Sequence, residues 1–317
     1  MSVNIARLCG FDARRIHIRP WSDEKVTVKE CGNITDVTYC EKRSYGGVTK
    51  KLDKNTYLDT RNGEVKEFKH HDTRLDDTKS VKRSLRDGRD MINANIVDVS
   101  KWRMITLTYA ENMTDHKKLY EDFKNFWHKK FRVAFPTADR YITANEPQGR
   151  GAWHVHLLVG FSDVAPFIPN DVVHNLWGHG FVKVTAIDSV DNVGAYLSAY
   201  LSDLPIEDAK RLKLSKNGDT VSVLMPDSDG KPIKKKVVKG ARMVLYPAGM
   251  HIFRWSRNCT KPIIERCTEK VASERVEGQR LIYEDTTIIQ DANSGWVNVV
   301  NKRTYNKILK EAKSDNN

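Results

Sequence analysis

Trp153-His154-Val155-His156-Leu157-Leu158-Val159 places two imidazoles two residues apart inside an apolar run. Such a run reads as a buried strand, and its period of two puts both rings on one face. A strand with Val and Leu to bury gains little from two polar rings, whereas neutral imidazole is a common ligand for divalent metals. Glu146 lies eight residues upstream of His154, at the end of the strand-like run Arg140-Tyr141-Ile142-Thr143-Ala144-Asn145-Glu146. Pro147-Gln148-Gly149-Arg150-Gly151 between the two runs is turn material. A hairpin centred on Arg150 sets Glu146 directly opposite His154, so the carboxylate and both imidazoles share a face.

A single buried histidine is ordinarily a satisfied core residue. Two at strand period, facing a carboxylate, are better read as a Glu/His/His donor set. With open coordination positions, that set suits a hard or borderline ion such as Mg²⁺ or Mn²⁺ holding phosphate oxygens, better than a closed structural zinc site. Other enzymes with paired histidines fit less well. A binuclear metallohydrolase wants Asp and His just after the pair, and Leu157 and Leu158 stand there instead. A two-histidine phosphoesterase needs a second His-x-Ser/Thr motif on a related strand, and no convincing one is present.

The chain has 53 basic against 41 acidic residues, a net charge of +12, which draws it to polyanions without specific contacts. At 317 residues and 39% hydrophobic it can bury a core, as one elaborated domain or two small ones. No apolar run approaches transmembrane length and no signal-peptide segment opens the chain, so a cytoplasmic protein without a membrane partner is expected. The five cysteines, Cys9, Cys31, Cys40, Cys259 and Cys267, form no CxxC pair and are expected to be reduced, structural thiols.

From residue 100 onward the organisation is legible. Met104-Ile105-Thr106-Leu107-Thr108-Tyr109 has the content of a strand. A helix capped by Thr114 or Asp115 follows, with Leu119, Phe123, Phe126, Trp127 and Phe131 at helical spacing up to about Ala134. After the hairpin, a short helix over 170–177 ends at Gly178 and Gly180, and Phe181-Val182-Lys183-Val184-Thr185-Ala186-Ile187 alternates as a strand. This order predicts an α+β fold, an antiparallel sheet with helices packed on one face.

The last helix of that unit, Val193-Gly194-Ala195-Tyr196-Leu197-Ser198-Ala199-Tyr200-Leu201, carries two tyrosines on one face. Rings at this spacing commonly pack on a sheet. Here the helix is entered from the strand beside the metal hairpin, so a phenol can reach a metal-bound phosphate, whose metal would offset the phenol's high pKa of ~10.

Ile105-Thr106-Leu107-Thr108, then Glu146 with His154-Val155-His156, then Tyr196-x-x-x-Tyr200 occur in the order and rough spacing of a known class. The chain resembles the rolling-circle replication initiators of the HUH endonuclease class, closest to those of small bacterial plasmids and single-stranded DNA phages. The resemblance covers about residues 78–262: residues 86–95 look like the basic helix before the first motif, and 240–262 like a closing basic hairpin. It implies an RRM-like or ferredoxin-like core with added terminal elements, divided as an N-terminal extension over 1–77, a nicking and joining domain over 78–262 and a C-terminal extension over 263–317. Such proteins nick one strand at an origin, keep a 5′-phosphotyrosine link, leave a 3′-hydroxyl primer and later rejoin the ends. The resemblance makes Glu146, His154 and His156 ligands of Mg²⁺ or Mn²⁺. Tyr196 and Tyr200 become the nucleophile and its partner for the second transfer, in either order. It departs at Ala199 and Asp203, where many members carry lysine three residues after a motif tyrosine; Lys183 is the alternative charge beside the phosphate.

For DNA contacts, Lys79, Lys82, Arg83, Arg86 and Arg89 recur at three- and four-residue steps, a stripe able to follow a phosphate backbone or simply a solvated helix face. Arg242, Arg254 and Arg257, interleaved with Tyr246, Phe253 and Trp255, combine charge with rings that either stack on unpaired bases or fill a hairpin core. The expected partner is single-stranded or extruded origin DNA. No GxxxxGK loop is present, so a host helicase, with a polymerase, is expected to supply the motor. Relaxases and transposases share the chemistry. A non-catalytic single-stranded nucleic-acid-binding module is the reading from a different class, and it predicts binding that survives loss of all three ligands.

Overall fold

The computed structural model describes residues 19–42, 49–68, 73–74, 77–187, 201, 203–213, 220–226, 232–290 and 297–308. The chain divides into two compact units, residues 1–70 with 262–317, and residues 71–261. It begins in the first unit with β1 (Lys25–Cys31), β2 (Ile34–Cys40), β3 (Thr49–Lys51), β4 (Thr56–Asp59) and β5 (Glu64–Glu67). It then builds the second unit from α1 (Thr78–Asn95), β6 (Trp102–Leu107), α2 (His116–Asn125), β7 (Ala138–Pro147), β8 (Trp153–Phe161), α3 (Asn170–Trp177) and β9 (Val182–Ala186). There follow β10 (Leu204–Pro205), α4 (Ile206–Arg211), β11 (Thr220–Pro226), β12 (Pro232–Val238), a 3₁₀ turn (Ala241–Leu245) and β13 (Phe253–Trp255). The chain returns to the first unit as β14 (Ile263–Thr268), α5 (Glu269–Arg275), β15 (Arg280–Gln290) and β16 (Val297–Asn306).

The N- and C-terminal flanks share one antiparallel sheet, in the order β14-β1-β2-β16-β15. Its core follows from alternation: Val26, Val28, Val37 and Tyr39 point to one side and pack with Ala272 and Val276 around α5. There the Arg303 guanidinium forks onto the Glu269 carboxylate at 2.6 and 2.7 Å, both groups buried. Each desolvated charge is thereby matched by two hydrogen bonds.

The second unit is organised by the antiparallel sheet β13-β7-β8-β6-β9, with the histidine strand β8 at its centre. One face of β8 presents Val155, Leu157 and Val159, all buried. On the same side Tyr141, in register with Val159, meets the rings of Phe123 and Trp127 at 5.0 and 4.9 Å. Asp115 caps α2 by accepting from the amides of Lys117 and Lys118. The aromatic spacing predicts a regular helix to Ala134; instead Phe126–Phe131 form a wide π turn before a last turn, Arg132–Ala134. At regular spacing, positions five apart point about 140° from one another. The i→i+5 bonding of a π turn brings them nearly into line. It thus lets Phe126 and Phe131 stand 5.3 Å apart, both buried, with Lys129 and Lys130 in solvent.

The α+β class and antiparallel sheet agree with expectation, but the helices do not all lie on one face. While α2 and α3 cover the Leu157 face, α1 lies against β7 and β13 on the histidine face. Phe253, in register with Ala144 and hence on that face, sits so close to α1 that a Cβ on Gly88 would collide with its ring. The reason is in β8 itself. Beyond His156 the same face continues with buried Leu158, flanked in register by buried Ile142, so half of it is apolar and needs a cover. Met91 and Ile92 of α1 are buried in that core.

Candidate metal centre

The β7–β8 hairpin closes through Gln148, whose amide donates to Ala152 O and whose carbonyl accepts from the Gly151 amide, each at 2.8 Å. The register that follows pairs Glu146 with His154 and Ala144 with His156. On the other side of β8, Thr106 stands opposite His156, and Lys183 of β9 stands opposite Thr106. Directly paired residues share a face. Glu146, His154, His156, Thr106 and Lys183 therefore occupy one side of the sheet, at the polar end of the half-apolar face.

The carboxylate of Glu146 has both oxygens engaged. Its Oε2 lies 2.5 Å from His156 Nε2, and its Oε1 lies 2.5 Å from Arg242 Nη1. His156 Nδ1 stands 3.4 Å from Thr106 Oγ1. The His154 and His156 rings are 6.4 Å apart at 79°. Arg242 belongs to the 3₁₀ turn, and its guanidinium also donates from Nη1 to Pro147 O and from Nε to Asp203 O, each at 2.8 Å. Asp203 in turn accepts from the Gly240 amide at 3.1 Å.

These contacts set the charge states. Burial raises the Glu146 pKa, but Arg242 foremost, then His156 and His154, outweigh it and hold the carboxyl at about 2. Burial lowers His154, Glu146 opposes that, and the nearby His156, Arg150 and Arg242 add to it, leaving the imidazole at about 4. At neutral pH the face thus offers a carboxylate and a neutral imidazole, the protonation states that metal ligation requires.

The donor set fits a divalent ion in chemistry, charge and shared face. Among the described residues, however, no three His, Cys, Asp or Glu side chains are gathered around one point. The two atoms that would ligate, His156 Nε2 and Glu146 Oε2, bind each other instead.

Of the other residues singled out by sequence, Tyr196 and Tyr200 lie outside the described residues. On α1, Lys82, Arg83 and Arg86 are exposed and Arg89 is half-buried, 3.7 Å from Asp90; Lys79 is in the helix's first turn. Arg257 is exposed, while Arg254 lies over the Tyr120 ring at 4.2 Å. Arg242, expected among the DNA contacts, is only 4% exposed, its guanidinium held by Glu146 and two carbonyls. Of the three rings interleaved with these arginines, Tyr246 and Phe253 are buried and Trp255 is partly exposed. The Tyr246 hydroxyl donates to Asn145 O at 2.8 Å.

Sequence reasoning missed Arg242 as the partner of Glu146, because nothing local joins the two. It also left Thr106 without a role, although strand alternation across β6 offered a signal.

No curated protein and no solved structure matches the chain. No described helix is long and apolar enough to cross a membrane. Residues 102–205, which run from β6 through the histidine hairpin to β10, match a family model for the ORF2 type of replication-associated protein. The stretch holding Glu146, His154 and His156 is thus similar to a replication-associated family, and the match supports a replication initiator.

Proposed function

We propose that this chain initiates replication as a metal-dependent nickase of the HUH type, acting on single-stranded or extruded origin DNA. Supporting this reading is the observation that Glu146 and both histidines fall on one sheet face inside the family-matched stretch. Tyr196 or Tyr200 attacks the scissile phosphate through its phenolic oxygen. The new P–O bond to tyrosine replaces the bond to the 3′-oxygen, which leaves, takes up a proton and becomes the primer. The 5′-phosphotyrosine diester keeps the bond energy, so a 3′-hydroxyl later reverses the step without ATP. Mg²⁺ or Mn²⁺ held by Glu146, His154 and His156 supplies positive charge against the phosphate oxygens.

The chain's own residues do the rest. Thr106, beside Nδ1, orients the His156 ring. Lys183, on the same face, provides a second cation for the phosphate. The exposed charges of α1 hold the DNA backbone without reading its bases. With no motor motif in the sequence, strand separation falls to a host helicase, and a host polymerase extends the primer.

The reading is tested by incubating the protein with Mn²⁺ and supercoiled DNA of the replicon that encodes it. Conversion to open circles that is lost in His154→Ala and His156→Ala supports it. Nicking that persists in both variants overturns it.

A further inference from the structure

Glu146 offers an ion less than a carboxylate usually can. Its Oε1 is held at 2.5 Å by Arg242 Nη1, while Oε2 alone faces the His156 imidazole. The guanidinium is itself fixed, since Nη1 also donates to Pro147 O and Nε to Asp203 O, and the Asp203 carboxylate accepts from the Gly240 amide two residues before Arg242. Its side chain is 5% exposed, so water competes little for these bonds. The Arg242 side chain is therefore a rigid clamp, anchored to backbone on two sides.

We propose that Arg242 is a positioning residue that restricts Glu146 to single-oxygen ligation and thereby sets which divalent ion the site accepts. The inference rests on the metal-dependent reading above. Ca²⁺ collects six to eight oxygen ligands and commonly takes a carboxylate through both oxygens, whereas Mg²⁺ requires near-octahedral geometry. Imidazole nitrogen suits transition ions such as Mn²⁺ better than Ca²⁺. Two imidazoles plus one available carboxylate oxygen therefore select against Ca²⁺, and releasing Oε1 weakens that selection. Lysine is no equivalent, because a single ammonium cannot span a carboxylate and two carbonyls as a planar fork does.

The test titrates Mn²⁺ and Ca²⁺ separately into the full chain, without DNA, by calorimetry, for the wild type, Arg242→Ala and Arg242→Lys, with circular dichroism to verify folding. The wild type should prefer Mn²⁺, and the preference should fall ~10-fold or more in Arg242→Ala. Added guanidinium should restore it in that variant, which a merely structural role would not produce. Should Arg242→Ala fail to fold, the milder Arg242→Lys carries the test, with the preference moving the same way. A folded variant with the wild-type Mn²⁺ to Ca²⁺ ratio overturns the clamp and leaves the metal reading intact. A wild-type chain that binds neither ion overturns the metal reading and the clamp with it.

Discussion

Arg242 and Glu146, distant in sequence, meet at 2.5 Å with the arginine withdrawn from solvent, and the carboxylate's other oxygen meets His156. The contact joins the histidine hairpin to the 3₁₀ turn that follows β12, so the charge of Glu146 is part of the fold as well as of the site. A buried guanidinium whose carboxylate is removed keeps its desolvation cost and loses its main compensation.

Glu146→Gln should therefore destabilise the protein by about 3 kcal/mol. The companion change Arg242→Met, made on top of it, should recover part of the loss. Urea unfolding of the single and double variants checks this. A Glu146→Gln midpoint equal to wild type would show the pair contributes nothing.

Gly88 lies in the interior of α1, where alanine ordinarily stabilises a helix by about 1 kcal/mol. A Cβ there would run into the buried ring of Phe253. Gly88→Ala should thus lower stability by about 1–3 kcal/mol, as overpacking does. A rise in thermal midpoint would contradict the close docking of α1 on the histidine face.

The histidine hairpin is legible because its information is local. A period of two, turn residues around Arg150 and an eight-residue spacing suffice to set Glu146 opposite His154. The helix over 116–125 is legible for the same reason, through Asp115 and its aromatic spacing. Arg242 reads as a DNA contact because charge in a sequence signals exposure by default, and only long-range packing buries it against Glu146. The union of the flanks through β1, β2, β14 and β16 is invisible for a related reason. Those strands pair across most of the chain length, and each alone is a short alternating run. The side of the sheet taken by α1 depends on Leu158 and Ile142 sharing the histidine face, a consequence of register that no single strand displays.

Asp36 makes the flank unit sensitive to acid. Burial raises its pKa, but Lys29 and Lys302, at 3.1 and 3.4 Å, and the Thr304 hydroxyl outweigh that and lower it. A carboxyl lowered on folding contributes stability above its unfolded pKa of ~3.9, and that contribution is lost as pH falls through the folded value. Asp36→Asn should cost about 1–3 kcal/mol at pH 7 in urea unfolding. The gap to wild type should close progressively below pH ~4. A gap independent of pH would remove the charge from the explanation.

Lys82, Arg83 and Arg86 stand exposed along α1. Replacing each with alanine should weaken binding to single-stranded DNA of any sequence and lower the slope of log K against log salt by ~0.7 per residue. Fluorescence anisotropy across a salt series measures both. An unchanged slope in the triple variant would take α1 off the DNA path.

The most direct measurement of the central claim is covalent capture. The protein is mixed with Mn²⁺ and heat-denatured DNA of its own replicon, the mixture is denatured and digested, and DNA-linked peptides are identified by mass spectrometry. The account predicts a single linked peptide bearing the nucleotide on Tyr196 or Tyr200, present with wild type and missing with His154→Ala. DNA that binds the protein with no linked peptide, or a link to a residue outside that pair, would contradict it.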